Sequence, residues 1–409
     1  MMHPTLEETL TRRIAEQGKI TFAEFMDLAL YWPTGGYYTR MGTSGADTDY
    51  FTAPSAHPAF GALLAVQIEQ MWVQLGRPDP FVVVEQGAGS GQLARDITTY
   101  ASHLDTSFRH ALRYVTTDGS VRPDSRGKDP PIQGILATGV PLKHITGCFL
   151  SNELLDAIPV HRVVFRDGQT REIYVTQRDG QFLEVEDEPS TPRIAYRLEE
   201  VQASLTEGQR AEVCLELDTW IEEVATALER GFVLTIDYGH TAQELYARQR
   251  LQGTLRCYFK HTLAGNPYVR VGYQDMTAHV DFTTIADLGA RQGLCGYPLQ
   301  TQASFLTNLG LRTFQQRLVS AELNQRERDA NRMALLELAR PGGMGDFKVL
   351  VQSKNVGNPV ITGVHGASAQ WRERLAGLPL PLLDADHLSL MEARYPHTAQ
   401  SLGQSWPVG

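Results

Sequence analysis

Apolar positions recur at two different spacings along this 409-residue chain, and the predicted elements change where the spacing changes. Phe22, Phe25, Met26, Leu28, Ala29 and Leu30 follow Thr21 and Glu24 at helical intervals, and that polar pair suits a capping box. Pro33, Gly35 and Gly36 stop the helix, and a Gly-rich loop is expected to about Asp49. A second helix is predicted over 60–75, with Leu64, Ile68, Met71 and Trp72 at helical spacing. Phe81-Val82-Val83-Val84 is a short unbroken apolar run, the pattern of a strand buried on both faces of a parallel sheet. It leads through Glu85 into Gly87-Ala88-Gly89-Ser90-Gly91, then into a helical stretch from Leu93 to Tyr100. Strand, glycine turn and helix open a doubly wound α/β unit. Further strands are expected at 114–117, 147–151, 232–236 and 347–352.

Between the strands at 147–151 and 232–236 the period falls to two. Val160 to Phe165, Glu172 to Thr176 and Phe182 to Val185 alternate around Asp167-Gly168 and Asp179-Gly180, which predicts hairpins. An amphipathic helix follows, with Val213, Leu217, Ile221, Val224 and Leu228 on one face. The chain therefore divides into an N-terminal helical segment (1–80), a first half of the sheet domain (81–159), an insertion (160–230), a second half (231–356) and a loosely packed tail (357–409). With 42% hydrophobic and 21% charged residues, a packed core is within reach. Lys and Arg total 37 against 47 Asp and Glu, a net charge of −10, which disfavours non-specific nucleic-acid binding. No apolar run approaches the ~20 residues that cross a bilayer, so no membrane insertion is expected. The opening residues carry Glu7 and Glu8, and Cys148, Cys214, Cys257 and Cys295 are scattered; both predict a cytoplasmic protein with reduced thiols.

Candidate chemistry gathers at the strand ends. The chain contains no GxxxxGK[ST] loop, and Gln92 stands where a dinucleotide fingerprint takes glycine. Glu85 ahead of Gly87, Gly89 and Gly91 suits a cationic ligand such as S-adenosylmethionine better than a pyrophosphate; the alternative is a merely tight turn. Asp118 ends the next strand, as a ribose-binding carboxylate or as a solvated turn residue. Asn152, Glu153 and Asp156 follow an apolar strand, where they face a ligand crevice or cap a helix. Asp237 and Tyr238 end another strand, either reaching the crevice to orient substrate or forming a sharp turn. His279 and Asp281 are two apart, so on an extended segment they share a face and form a proton-accepting or a structural pair. Tyr31, Tyr37, Tyr38, Tyr50 and Phe51 line a lid or pack a core. The histidines show no metal-ligand spacing, and no GxSxG elbow occurs.

Several of these segments together resemble the MidA family of S-adenosylmethionine-dependent methyltransferases. They are Ile20 to Met26, Gly36-Tyr37-Tyr38, Asp49 to Pro54, Phe60-Gly61, Glu85 to Gly91, Asn152 to Pro159, Ile236 to Gly239, Gly253 to Tyr258 and Asp275 to Phe282. The resemblance covers about 20–353. It implies a class I methyltransferase (Rossmann-like) α/β fold, a twisted sheet with an N-terminal helical segment and an inserted β-hairpin/helix subdomain. It also implies S-adenosylmethionine bound at Gly87, Gly89 and Gly91, with Asn152 near the transferred methyl. The family's mitochondrial members methylate arginine on a complex I subunit, so the implied partner is a protein substrate, a respiratory-complex subunit among the candidates. Glu153 and Asp156 are then candidates to grip a guanidinium in bidentate fashion. Two departures stand out: Asp118 replaces the family's usual Glu, and Ile135-Leu136-Ala137-Thr138 offers no acid for the adenine amino group.

Overall fold

The computed structural model describes residues 4–44, 52–119, 132–259 and 262–387. Five strands run parallel: β1 (Phe81–Gln86), β2 (Leu112–Asp118), β3 (Ile132–Leu136), β4 (Ile145–Asn152) and β5 (Leu228–Asp237). Their spatial order is β3-β2-β1-β4-β5, and β6 (Lys348–Lys354) adds antiparallel to β5. Two short edge pieces, Cys295–Gly296 and Gln300–Thr301, pair with β6. Successive side chains on a strand point to opposite faces. Phe81, Val83, Cys148, Leu150, Phe232 and Leu234 therefore enter one core, and Val84, Phe149 and Val233 enter another. The helix Ala59–Gln74 fills the first core and is buried nearly all round, which explains its weak amphipathic signal. The helices Leu217–Ala227 and Phe282–Arg291 cover the second. Strand order reverses between β1 and β4, so their carboxyl ends open a crevice at the switch point.

A second body packs beside this sheet. The hairpins expected around Asp167-Gly168 and Asp179-Gly180 are present, with both residues of each turn at positive φ (50° and 77°, 51° and 76°). His161–Arg166, Gln169–Arg178, Gln181–Asp187 and Arg210–Val213 form an antiparallel sheet, and Ile20–Thr21 from the N-terminal segment adds to its edge. Sequence spacing gives no hint that residue 20 pairs with residue 175. Thr21 caps the helix Phe22–Tyr31, accepting the Glu24 N–H at 3.1 Å.

Three expectations change. The stretch after Gly36 is a helix, Tyr37–Ser44, rather than a loop. The helix Leu217–Ala227, which the pattern places within the insertion, lies on the central sheet through Trp220, Ile221 and Val224. The tail is not loose as far as it is described: Ile361, Trp371 and Leu375 are buried in the first core, and the Trp371 indole donates to the Leu309 carbonyl at 2.8 Å. Its helices Thr362–His365 and Ala369–Gly377 are too short to show a period, so only distant contacts reveal them. Tyr50, Phe51 and residues 388–409 lie outside the described residues. No described helix is long and apolar enough to cross a membrane.

Leu375 is 1% exposed and packs on Gly310. Leu375→Ala is expected to cost about 2–5 kcal/mol in denaturant unfolding, the range for a buried leucine truncation; an unchanged midpoint would show that the tail does not belong to the fold.

Candidate active site

The glycine turn is shaped by close approach and by backbone conformation. Gly87, Gly89 and Gly91 sit at φ of +68°, +51° and +72°, a region that favours glycine. A Cβ on Gly87 would lie 2.7 Å from Leu154 Cδ1, whereas one on Gly89 would meet nothing within 4 Å. The N–H groups of the turn are largely taken: Gly87 donates to the Thr117 carbonyl at 2.8 Å, Gly89 to Asp118 Oδ2 at 3.1 Å and Gly91 to the Ala88 carbonyl at 2.8 Å. The turn therefore offers a smooth concave surface more than a row of donors. Gly91 starts the helix Gln92–Ala101 and does not line the cavity in front of the turn.

That cavity measures about 1360 Å³, above the ~300–1,000 Å³ of a typical small-ligand pocket, so it has room for a cofactor and an incoming side chain. Of the residues singled out from the sequence, Glu85, Gly87, Gly89, Asp118, Asn152, Glu153, Asp156, His279 and the tyrosines Tyr31, Tyr37 and Tyr38 line it. Tyr31 and Tyr38 stack at 5.5 Å; Tyr31 donates to the Ala157 carbonyl at 3.0 Å and Tyr38 to Asp275 Oδ2 at 3.1 Å.

Carboxylates crowd this wall. Glu85 is buried beneath the turn, where the Tyr114 phenol donates to it at 2.8 Å; burial pushes its carboxyl up to about 8. Glu153 is also pushed up to about 8, by burial first and then by the nearby Asp237 carboxylate. Asp156 is raised well above its ordinary range by burial and by Asp237, Asp275 and Glu153 around it. Neither Glu153 nor Asp156 forms an ion pair among the described residues. Asn152 donates its amide to Glu153 Oε1 at 3.1 Å, and its own buried Oδ1 has no partner among the described residues. Among the described residues Glu153 and Asp156 face one another's charge without a cation beside them, a crowding that a bound cation would relieve.

Two candidate roles change. Asp237 is fully buried and does not line the cavity: Oδ2 accepts the N–H groups of Leu154 (3.1 Å) and Leu155 (2.8 Å), and Oδ1 that of Tyr238 (2.8 Å). It positions the acidic loop instead of touching substrate. His279 and Asp281 are not a proton-accepting pair: among the described residues the buried His279 Nδ1 has no partner, and both Asp281 oxygens are taken by Thr283 and Thr284. Asp281 caps the helix Phe282–Arg291 through the N–H groups of Thr283 and Thr284. Burial pushes the His279 imidazole down to about 3, which makes it a neutral wall and a poor base. Sequence reasoning assigned no role to Asp275, Trp220, Glu223 or Tyr258, all of which line the cavity. Asp275 opens the same segment as His279, so its signal was adjacent to one already noticed.

A family model described as S-adenosyl-L-methionine-dependent methyltransferase matches residues 63–297, more than half of the chain. The chain belongs to this methyltransferase family. Its relatives include the protein arginine methyltransferase NDUFAF7 homolog, mitochondrial, of Drosophila melanogaster, 27% identical over 71% of this chain and 71% of its own length. The mitochondrial protein arginine methyltransferase NDUFAF7 of Danio rerio is 28% identical over 76% and 78%, and that of Homo sapiens 26% over 74% and 72%. A crystal structure from Burkholderia thailandensis bound to S-adenosyl-homocysteine superposes with a TM-score of 0.76 at 29% identity, covering 89% of this chain and 96% of that one. The class I methyltransferase fold and S-adenosylmethionine as cofactor, both implied by the sequence resemblance, are borne out. The cytoplasmic placement is corrected: these relatives are mitochondrial proteins, and opening residues and thiol spacing do not fix a compartment.

The lining of this methyltransferase fits its cofactor. A sulfonium and an ammonium group suit an acid-rich wall, the open space over Gly89 admits a ligand against the backbone, and the orphaned Asn152 Oδ1 awaits a donor.

Two outcomes follow from this geometry. Unfolded, Glu85 titrates near 4.5, and folded near 8, so the fold favours the protonated carboxyl. That stabilisation is full below the unfolded value and is lost as pH rises through about 8. Thermal melts of the cofactor-free protein should therefore show Glu85→Gln gaining on wild type from pH 5 to 8; a difference independent of pH would count against the raised value. Asp237→Asn keeps the shape but replaces one acceptor oxygen by a donor, and should cost about 1–3 kcal/mol in denaturant unfolding. No loss there would remove Asp237 from its positioning role.

Proposed function

We propose that this methyltransferase transfers a methyl group to an arginine guanidinium on a partner protein. The observation that carries this reading is the pair Glu153 and Asp156, two carboxylates on the cavity wall with no cationic partner among the described residues. The names of the relatives, protein arginine methyltransferases, point the same way. Bound S-adenosylmethionine supplies a methyl carbon on a positively charged sulfur, open to in-line attack.

A guanidinium has a pKa above ~12, so it stays protonated near neutral pH, and it spreads its lone pairs over three nitrogens. In this proposal Glu153 and Asp156 hold two of those nitrogens in bidentate geometry, which localises the charge there and leaves the third richer in electrons. The arriving cation also draws both carboxyls back toward their ionised forms. Once the nitrogen has gained its methyl it must release a proton, and a carboxyl with a raised pKa, Glu153, is suited to accept it. Asp118, at the tip of β2, would take the ribose hydroxyls, as such an acid does in related α/β folds, and Glu85 and Asn152 would face the amino-acid end of the cofactor. The cavity's acidic lining favours an exposed arginine in a basic surface on the partner. The family resemblance makes a respiratory-complex subunit the first one to assay.

The test incubates purified protein and methyl-labelled S-adenosylmethionine with extract from cells lacking this protein. A labelled band whose digest contains methylarginine is expected. Glu153→Gln and Asp156→Asn should each cut labelling at least about 100-fold, the usual scale for a lost acid–base group, while S-adenosyl-homocysteine affinity stays within about threefold. Label confined to small molecules, with cofactor binding intact, would overturn the reading.

A further inference from the structure

One wall of the cavity is a three-stranded antiparallel sheet, with Thr262–Ala264 outermost, Arg256–Phe259 in the middle and Asp275–Thr277 innermost. The register sets Leu263 opposite Tyr258 and Tyr258 opposite Asp275, so these three side chains form one cross-strand row on one face. The next row, Ala264, Cys257 and Met276, points the other way, into the core of the N-terminal helices. The cavity-facing row is graded. Leu263 is 64% exposed, Tyr258 is half-buried on the cavity wall, and Asp275 is 1% exposed and accepts the Tyr38 phenol.

An exposed apolar residue, then an aromatic face, then a buried carboxylate is the succession of surfaces that an arginine with an apolar neighbour requires. The aliphatic stem packs on hydrocarbon, the guanidinium passes over a ring, and the charge ends on an acid. Two further observations fit. Thr262–Ala264 is paired on one side only among the described residues, so an extended chain can reach this face across its outer edge. Among the described residues the cavity lining carries nine carboxylates against three arginines, which attracts a cation. One of those arginines, Arg256, lies on the same face opposite Thr277, two residues from Tyr258, and its charge turns a substrate cation toward the Asp275 row.

We propose that this sheet is the docking surface for the protein substrate. An extended segment crosses the cavity-facing side of the sheet from its open edge, seats an apolar side chain on Leu263 and, two places further on, sends its arginine over Tyr258 to Asp275 at the inner end. This rests on the arginine reading above and adds to it a flanking-sequence preference: on an extended segment the residue two places from the arginine shares its face, so that position should be apolar.

The test uses the full chain with arrayed nine-residue peptides, each with one central arginine and varied flanks, and labelled S-adenosylmethionine. Wild type should label peptides with Leu, Ile, Val or Phe two places from the arginine about tenfold more than those with Asp there, a difference of about 1.4 kcal/mol. Leu263→Asp should erase that preference and Leu263→Ile keep it, both with unchanged S-adenosyl-homocysteine affinity and melting temperature. The same preference in Leu263→Asp as in wild type, or no flank preference in wild type, overturns the docking surface alone. No label on any arginine peptide, with cofactor product bound normally, overturns the arginine reading and the docking surface with it.

Discussion

Asp237 holds the reactive end of this protein together. It sits fully buried where β5 ends, and its two oxygens take three backbone N–H groups, two from the loop after β4 and one from its own neighbour. Burial raises its carboxyl, and the backbone donors pull it back down. Those bonds fix a loop whose backbone is otherwise unfavourable. Glu153 sits at φ +52°, a conformation that residues with a Cβ rarely adopt, and its N–H reaches the Ile236 carbonyl on β5 at 2.9 Å. Strain of this kind persists where surrounding contacts over-determine it, and here they turn Asn152, Glu153 and Asp156 into the cavity.

The same compactness creates the site's chemistry. Asp237 cannot be withdrawn from the acids it positions, so its charge bears on Glu153 and Asp156 and raises both. Asp275 adds to the field from a different element, the inner strand of the three-stranded sheet. The result is a wall that is uncomfortable when empty and relieved by a cation. The cationic cofactor of a methyltransferase suits that arrangement. Glu85 lies under the glycine turn and the other acids lie across the crevice from it, at the opposite sides of the β1–β4 switch point.

Outside the sheet, the polypeptide uses its ends to finish the cavity. The N-terminal segment contributes a strand to the inserted sheet and the stacked pair Tyr31 and Tyr38 to the cavity wall. The C-terminal segment returns to the glycine turn's own helix, where the buried His387 contacts Asp96 at 3.2 Å and Gln92 at 3.3 Å. Burial lowers the His387 pKa, and the carboxylates of Asp96 and of Asp384, the latter 2.7 Å from Nδ1, raise it above its ordinary value. Elements far apart in sequence therefore meet around one crevice.

Local chemistry was legible in the sequence, and assembly was not. The unbroken run at Phe81–Val84, the glycines after Glu85 and the two Asp-Gly turns each carry their conformational reason within a few residues, and each element stands where the pattern puts it. The helix Ala369–Gly377 has too few apolar positions for a period, and Ile20 finds its partner at Val175, so neither could be inferred locally. Asp237 shows the division most plainly. By itself the sequence determined that an acid ends this strand, and left open whether it reaches the crevice or forms a turn. Only the tertiary structure decided that its oxygens face inward to backbone N–H groups, because hydrogen-bond partners from another strand end exist only once β4 and β5 are paired.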